Sequence, residues 1–402
     1  MSHRPSCPQG SWPRPTFEVA DVFQIKGESY NSSHVLTPEQ GRLLRDISAC
    51  RTAILGGHED VCDTCGFTRS AYNSCRNRHC PKCQGAAQFG WVEKHMGRVL
   101  PTHYFHVVAT LPAQLRPLLH RNRPVLFPLL FQTTTRTLLA LGEDRLGARL
   151  GITAVLHTWT RDLLFHPHLH CIVTGGGLAL DESTWVRANE SYLFPYLVLS
   201  RLFRGKFLAG LARLYEQGQL DLGGDCEPLA DKDLFGQLKD RLYRKDWVVY
   251  QKPPFGGPED VYRYLGRYTH RVAISNWRIE HIDETRIRFK TRHEQTATLT
   301  HEEFIRRFLL HVLPKGFVKI RHYGMLAPAH AGAKLEKAQR LLGSPVEPDP
   351  PEPCVQTSTG ASDKPLPDSV IVTPDTLRCP LCGVGRLLHL PLSKPQSRGR
   401  SP

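Results

Sequence analysis

Three histidines at alternate positions constrain the fold of this chain most strongly. His166, His168 and His170 lie in the stretch LLFHPHLHCIVTGGG. Only an extended strand places every second side chain on one face, so this spacing predicts a strand that carries three imidazoles together. Imidazole is a common metal ligand near neutral pH, and two or three on one face could hold a divalent cation. The alternative is a histidine-rich strand whose rings form hydrogen bonds in or around the core.

The segments around the triplet predict further elements. HYFHVVATLP and GITAVLHTWTRD are predicted to be strands, DLLFHPH a turn region, and RPVLFPLLFQTTTRTLLAL a helix. A hairpin between GITAVLHTWTRD and HLHCIVTGGGL would bring His157 close to the triplet. TPEQGRLLRDISACRTAIL begins with a threonine cap and is predicted to be helical. Helices are also expected between about residues 195 and 240, followed by a strand at WVVYQKPP.

Cysteine spacing predicts a zinc site near the N-terminus. Two CxxC pairs, Cys62 with Cys65 and Cys80 with Cys83, are separated by fourteen residues in HEDVCDTCGFTRSAYNSCRNRHCPKCQ. Each CxxC turn directs two sulfurs at one point, and tetrahedral zinc needs two such turns. These four cysteines are therefore predicted to bind one Zn²⁺. Cys75, His58 and His79 are left over, as alternative ligands, a second site or groups around the ligands.

A third pair, Cys379 and Cys382 in CPLCGVGRL, resembles half of a zinc ribbon. Cys354, His389 or the earlier cysteines could complete it.

Charge and hydropathy indicate the class of partner. The chain has 402 residues, 52 Lys and Arg against 38 Asp and Glu, and a net charge of +14, which favours a polyanionic partner such as nucleic acid. The N-terminus MSHRPSCPQGSWPRP has no apolar core of signal-peptide length, and no apolar run is expected to span a bilayer. We therefore expect a cytoplasmic protein without a membrane partner, with cysteines reduced or bound to metal.

The stretch EDVYRYLGRYTHRVAISN carries two tyrosines four residues apart. A helix over residues 259–270 would place Tyr264 and Tyr268 on one face and a stripe of arginines beside them. An amphipathic helix with its aromatic residues packed inward is the simpler interpretation of such a pair alone. Phenolate, once favoured by a base or a cation, can attack a phosphodiester, and a phosphotyrosine retains the energy of the broken bond for rejoining. With a histidine site and a basic chain, the pair predicts DNA strand cleavage and joining.

These motifs resemble those of a known family. HPHLH followed by a glycine-rich turn resembles the HUH motif, histidine, hydrophobic residue, histidine. YLGRYTHRVAISN resembles the paired-tyrosine motif of the two-tyrosine HUH transposases of insertion sequences, the family named after insertion sequence ninety-one. SCRNRHCPKCQ and LPKGFVKIRHYGML are similar to that family's zinc-binding domain and to the end of its catalytic domain. The resemblance covers roughly residues 37–333 in the family's order.

The resemblance implies an α+β fold, an antiparallel sheet flanked by helices with the histidines on a central strand, and an N-terminal zinc-binding module. It implies cleavage of single-stranded DNA at transposon ends, with Tyr264 and Tyr268 as nucleophiles and His168 and His170 as ligands of Mg²⁺ or Mn²⁺. The third ligand is open between His166, on the same strand, and His157. We favour His157 slightly because an adjacent strand can close the coordination sphere. The candidate phosphate contacts are Arg267, Arg271, Lys319 and Arg321.

The expected organisation has five parts. They are a loose extension at residues 1–34, a zinc-binding domain at 35–100, the catalytic domain at 101–333, a disordered linker at 334–376 and a C-terminal CxxC tail at 377–402. Two other functions stay open: a DNA-binding regulator with a dead nuclease site, and a plasmid replication initiator or relaxase.

Overall fold

The computed structural model describes residues 15–96, 98–252, 266, 272–343 and 378–392. In these ranges the α-helices are α1 (Val19–Ser33), α2 (Pro38–Ala49), α3 (Pro81–Met96), α4 (Arg116–Arg121), α5 (Arg123–Leu146), α6 (Tyr196–Glu216), α7 (Lys232–Arg244), α8 (His301–Leu309) and α9 (Ala331–Leu342). The strands are β1 (Gly57–Cys62), β2 (Thr68–Tyr72), β3 (Tyr104–Thr110), β4 (Ala148–Trp159), β5 (Phe165–Ala179), β6 (Trp185–Arg187), β7 (Val249–Lys252), β8 (Ile279–Ile282), β9 (Arg286–Lys290), β10 (Thr296–Thr300), β11 (Ile320–Gly324) and β12 (Leu387–Leu392).

The described strands form three antiparallel sheets. The central sheet has the order β11-β4-β5-β3-β7, with β6 paired to β5. A second sheet has the order β10-β9-β8, and a third the order β12-β1-β2. Helices flank the central sheet, so the predicted α+β class with an antiparallel sheet and helices around it is confirmed.

Strand alternation gives the central sheet two chemically different faces. On β5, Leu169, Cys171 and Val173 point into the main apolar core, which α5 and α6 cover. The residues between them point to the opposite face, where His168 and His170 lie. Because both faces are largely covered, β4 is buried along nearly its whole length. The sheet therefore provides a rigid base for the imidazoles.

The β4–β5 hairpin predicted from sequence is confirmed. The two strands pair antiparallel over ten register positions, with His157 directly opposite His168. The connecting turn is shorter than DLLFHPH, because β5 already begins at Phe165. The predicted strand at HYFHVVATLP is β3, and the long helix after it is α5, which ends at Gly147 in the left-handed conformation (φ 62°).

The threonine cap predicted for α2 is present. Thr37 Oγ1 accepts from the Gln40 backbone N–H at 3.3 Å, and the Gln40 side chain accepts from the Thr37 N–H at 3.0 Å. This reciprocal pair satisfies two backbone donors at the helix start, and Pro38 fits the first helical turn. The helix therefore begins where the sequence places it.

The N-terminal extension is ordered from Val19 onward, contrary to the expectation of a loose segment up to residue 34. Val19, Val22 and Phe23 of α1 are buried in a second apolar core with α2 and α8. Phe23 and Phe308 meet edge to face at 5.3 Å. Because the first residues are rich in proline, their composition did not indicate this short amphipathic helix, which depends on tertiary packing.

The linker begins later than expected. Residues 331–342 form α9, and its Leu335 and Ala338 are buried against the histidine-bearing side of the sheet with Met325. The predicted linker boundary at residue 334 is therefore wrong. The rest of the predicted linker, residues 344–376, lies outside the described ranges.

One described helix, α5, is long and apolar enough to cross a membrane by length and composition. Its apolar window is 67% buried inside the fold. It packs against β4, β5 and α6, as expected of a core helix.

Candidate metal and DNA-cleavage site

Three imidazoles from two adjacent strands converge on one point. His157 of β4 and His168 and His170 of β5 each offer a nitrogen, and these atoms lie within 4.8 Å of one another. We call these three residues the histidine cluster. His166 lies outside it: its ring is 5.2 Å from that of His168, while its carbonyl oxygen is 2.7 Å from His168 Nδ1. The structure thus brings His157 to the position favoured for a third ligand.

Hydrogen bonds fix which ring nitrogens are available. Because a carbonyl can only accept, His168 Nδ1 must carry the proton toward the His166 oxygen, which leaves Nε2 with its lone pair. His170 Nδ1 lies 2.8 Å from His106 Nε2 and can donate to it, and in that tautomer His170 Nε2 carries a lone pair. The Nε2 atoms of His168 and His170 are 3.1 Å apart. Two ligands about 2.1 Å from one cation at right angles would be about 3.0 Å apart, so the spacing fits octahedral coordination.

His106 is a site residue that sequence reasoning missed. It lies on β3, is 5% exposed, and its ring stacks on that of His170 with the centroids 5.0 Å apart. A histidine that binds a metal usually donates its second ring N–H to a hydrogen-bond partner, and this bond fixes the orientation and the tautomer of the ring. The signal was present in HYFHVVATLP, where His106 is polar within an otherwise apolar strand.

Burial keeps the imidazoles neutral. It lowers the pKa of His168 to about 4 and that of His106 to about 4, and it lowers the pKa of His170 well below its ordinary value. The nearby positive charges of other side chains and imidazoles act in the same direction for His106 and His170. At neutral pH His168 and His170 therefore present uncharged nitrogen ligands, the form that binds a cation.

The predicted nucleophiles, Tyr264 and Tyr268, lie outside the described residues. The predicted phosphate contacts Arg267 and Arg271 also lie outside them. One residue between them, Gly266, is described and buried, and a Cβ added to it would lie 2.3 Å from Val92 Cγ2. Val92 belongs to α3, and Trp91 beside it packs against the apolar cluster that includes Val155 and Ile172 of the central sheet. Gly266 thus lies against α3.

The cysteines predicted to share one zinc ion are divided between two clusters, so the predicted grouping is wrong. Cys80 and Cys83 lie with Cys50 and Cys75, which we call the first cysteine cluster. Cys62 and Cys65 lie with Cys379 and Cys382, the second cysteine cluster. The first pair lies at the turn between β1 and β2, and strand β2 separates it from the second pair. Sequence spacing shows that each pair forms a turn but not which turns meet.

Sequence reasoning also missed Cys50, which follows the last residue of α2. Its Sγ lies 3.6 Å from Cys83 Sγ, and Cys75 Sγ lies 3.6 Å from the same atom. Four sulfurs about 2.3 Å from one zinc ion stand about 3.8 Å apart, so these distances fit tetrahedral coordination. No CxxC spacing marks Cys50, because the end of a separate helix delivers it.

The two phosphate-contact candidates within the described ranges differ in their surroundings. Lys319 lines a cavity of about 700 Å³ together with Arg51, Arg76 and Arg78, which we call the basic pocket. Its Nζ is buried and has no hydrogen-bond partner among the described residues, and burial, together with Arg78, lowers its pKa to about 7. Arg321 instead covers aromatic rings, with its guanidinium 4.4 Å from the ring centre of Phe131. Its contact with phosphate stays a prediction.

Comparison with known proteins matches both halves of the chain. Residues 22–111 match a family described as "Transposase zinc-binding domain", and residues 151–334 match one described as "Putative transposase". The chain is 43% identical over 383 residues, 93% of this chain and 94% of the relative, to "Putative transposase y4qJ" of Sinorhizobium fredii. It is 30% identical over 380 residues, 87% of this chain and 85% of the relative, to "Transposase for insertion sequence element IS801" of Pseudomonas savastanoi pv. phaseolicola. No solved structure matches the chain.

These matches run through both the cysteine-bearing and the histidine-bearing parts of the fold. The chain therefore belongs to the two-tyrosine transposases of insertion sequences, the family named after insertion sequence ninety-one, and carries that family's N-terminal zinc-binding domain.

Proposed function

We propose that this transposase cleaves and rejoins single-stranded DNA at the ends of its insertion sequence through 5′-phosphotyrosine intermediates. The convergence of His157, His168 and His170 on one face of the central sheet is the observation that carries the proposal. The contact between Gly266 and α3 supports it, since Gly266 lies two residues from each tyrosine in the sequence.

The histidine cluster supplies a preorganised cation site. The His168 and His170 rings are neutral, half-buried on the β4–β5 hairpin, and oriented by the His166 carbonyl and by His106. Magnesium or manganese held there would polarise a phosphate and stabilise the charge on its non-bridging oxygens. Imidazole ligands favour manganese over magnesium intrinsically. His157, 3% exposed and stacked on Trp159 at 4.5 Å, closes the site from β4.

The tyrosines carry out the strand transfers in this proposal. A phenolate oxygen of Tyr264 or Tyr268 attacks the phosphorus, the bond from phosphorus to the 3′-oxygen breaks, and that oxygen takes up a proton. The result is a 5′-phosphotyrosine and a free 3′-hydroxyl. In the reverse reaction a 3′-hydroxyl attacks the phosphotyrosine, loses its proton and releases the phenol. Two tyrosines allow two such transfers in succession.

The substrate is proposed to be single-stranded, because an in-line attack on one phosphate requires that strand to leave the duplex. The net charge of +14 and the basic pocket favour a polyanion. The first cysteine cluster, which lies within the matched zinc-binding domain, is proposed to hold the Zn²⁺ of that domain. The relatives' names favour transposition over plasmid replication or relaxase activity.

The test is capture of the covalent product. Purified protein is incubated with Mn²⁺ and labelled single strands from the DNA that flanks the coding sequence, and the denatured mixture is examined for labelled protein. We expect an adduct that peptide mass spectrometry maps to Tyr264 or Tyr268. The double variant Tyr264→Phe, Tyr268→Phe should form none.

Tyr243→Phe provides the matched control, because Tyr243 is an exposed tyrosine of α7. It should form the adduct at the wild-type rate. Tight binding of the strands without any adduct would support the inactive DNA-binding regulator instead. An adduct that persists in the double variant would refute the assignment of the nucleophiles.

A further inference from the structure

The second cysteine cluster joins residues from the N-terminal domain and from the C-terminal CxxC segment. Cys62 Sγ lies 3.8 Å from Cys382 Sγ, and Cys65 Sγ lies 3.7 Å from Cys379 Sγ. All four sulfurs lie within 4.8 Å of one another. We propose that Cys62, Cys65, Cys379 and Cys382 bind a second zinc ion, which fastens the C-terminal CxxC segment to the N-terminal zinc-binding domain.

The sulfur separations distinguish a metal site from disulfides. A disulfide requires about 2.05 Å between its sulfurs. Four thiolates around one zinc ion, each about 2.3 Å from it, stand about 3.8 Å apart. The two separations in this cluster agree with the second value. The first cysteine cluster has the same dimensions, with two separations of 3.6 Å.

The backbone around each CxxC pair is arranged to receive thiolates. The N–H groups of Thr64 and Cys65 donate to Cys62 Sγ at 3.4 and 3.5 Å. In the C-terminal pair, the Leu381 N–H donates to Cys379 Sγ at 3.4 Å and the Gly385 N–H to Cys382 Sγ at 3.3 Å. Hydrogen bonds to the charged form of a thiol favour that form. Both turns therefore stabilise negative sulfur at a point where four sulfurs meet.

The surrounding chain holds the two pairs in register. Strand β12 pairs antiparallel with β1 over six positions, from Gly57 opposite Leu392 to Cys62 opposite Leu387. At Gly385 an added Cβ would lie 2.4 Å from Cys62 Sγ, so the close approach of the two turns requires glycine there. The Asp63 carboxylate accepts from the Arg386 N–H at 2.9 Å.

Beside the cluster, the Asp60 carboxylate contacts one side chain from β2 and one from β12. It is 1% exposed, and Arg69 and His389 both contact it. The contact between Asp60 of β1 and His389 of β12 lies next to the sulfurs and supports the same junction.

The consequence is that the zinc-binding domain is completed by the C-terminus. Without β12 the sheet is only the β1–β2 hairpin, and an isolated two-stranded hairpin is marginally stable in water. Residues 344–377 separate the C-terminal segment from α9 in the sequence, and placing that segment on β1 costs chain entropy that a zinc ion can offset. The C-terminal pair is therefore a structural part of the N-terminal domain.

The experiment counts thiolate-bound metal in the full-length protein. Zinc is replaced by Co²⁺, and the sulfur-to-cobalt charge-transfer absorption is measured per chain, because the histidine cluster adds nothing to that band. We expect the intensity of two four-sulfur sites. Cys379→Ser, Cys382→Ser should reduce it twofold, and so should a chain that ends at Gly343. Zinc bound to the reduced wild-type protein should resist removal until a strong chelator is added.

Cys354→Ser is the matched control, since the sequence offers Cys354 as another partner for the C-terminal pair and the proposed site does not include it. It should keep the full intensity. The complementary variant Cys50→Ser, Cys75→Ser should also lose half of the charge-transfer intensity. That result would show that the two sites bind metal independently. Unchanged intensity in the C-terminal variant would overturn the proposal. So would iron in place of zinc in the purified protein, or a mass deficit that reveals disulfides among these cysteines under reducing conditions.

Discussion

Each imidazole of the histidine cluster has a separate means of orientation. The His166 carbonyl orients His168, His106 orients His170, and Trp159 stacks on His157. Only the alternation of residues along β5 could be predicted from the sequence, because it follows from local strand geometry. The role of His106 depends on the pairing of β3 with β5, which places Val108 opposite His170. The placement of histidines at every second position of β5 does not indicate which strand pairs with it.

His106→Leu should weaken metal binding while leaving the cluster's own ligands in place. The variant removes the group that receives the His170 Nδ1 proton, so the His170 ring loses its fixed tautomer and orientation. Removing such partners typically costs about 10–100-fold in metal affinity. The measurement is a titration of the protein with Mn²⁺ in which electron paramagnetic resonance reports the concentration of the free ion.

His106→Gln is the control for that prediction, because its amide oxygen can still accept from His170. Its affinity should lie between those of the wild type and His106→Leu. Equal affinities for all three proteins would show that the hydrogen bond does not orient His170.

At the scale of elements, α3 connects the parts that the proposed chemistry needs. It follows the first cysteine cluster directly, since Cys83 lies in its first turn. Trp91 packs toward the sheet, and Val92 contacts Gly266. The sequence predicted the tyrosine motif and the zinc motif separately, each from its local pattern. It could not show that one helix joins them, because the contact between Val92 and Gly266 spans more than 170 residues of sequence.

Gly266→Ala should slow phosphotyrosine formation on the order of 10²-fold. The added Cβ would lie only 2.3 Å from Val92 Cγ2, so the backbone at residue 266 or the Val92 side chain must shift. A displacement of about 1 Å at a reacting group can cost that much in rate. Val92→Ala removes the obstructing carbon, and the next contact, Gln88 Cγ at 3.5 Å, is an ordinary one. The double variant should therefore recover most of the rate. The measurement is the rate of covalent adduct formation on single-stranded DNA.

Thermal unfolding separates this effect from a general loss of stability. Gly266→Ala and the double variant should both bind Zn²⁺ like the wild type and unfold cooperatively. An unaltered adduct rate in Gly266→Ala would mean that the close contact with α3 does not position the tyrosine motif.

At the scale of the whole molecule, segments that are far apart in the sequence pack together. The C-terminal strand β12 completes the sheet of the N-terminal domain, and α1 packs on α8 from the later part of the chain. Such long-range pairings cannot be predicted from the spacing of Cys62 and Cys65 or from the composition of the first thirty residues. Local signals such as the Thr37 cap and the β4–β5 hairpin were predictable, because neighbouring residues determine them.

The zinc-binding domain and the edge of the central sheet also meet at the basic pocket. Arg51 and Arg76 come from the loops on either side of the β1–β2 hairpin, and Lys319 directly precedes edge strand β11. Both arginines adopt the left-handed conformation, with φ of 58° and 54°. A non-glycine residue rarely adopts that conformation, so their side chains are placed at a conformational cost. The pocket is therefore a good candidate for contact with a DNA phosphate.

Arg51→Gln, Arg76→Gln should reduce the salt dependence of single-strand binding. Each phosphate that the protein neutralises on a single strand adds about 0.7 to the slope of log affinity against log salt, so removing two arginines from phosphates should lower the slope by about 1.4. The measurement is fluorescence anisotropy of a labelled strand over a series of salt concentrations. Arg145→Gln, Arg340→Gln removes the same total charge from exposed pairs with Asp144 and Glu336 and should leave the slope unchanged. If both double variants change the slope equally, binding depends on net charge alone, and the basic pocket does not contact the DNA backbone.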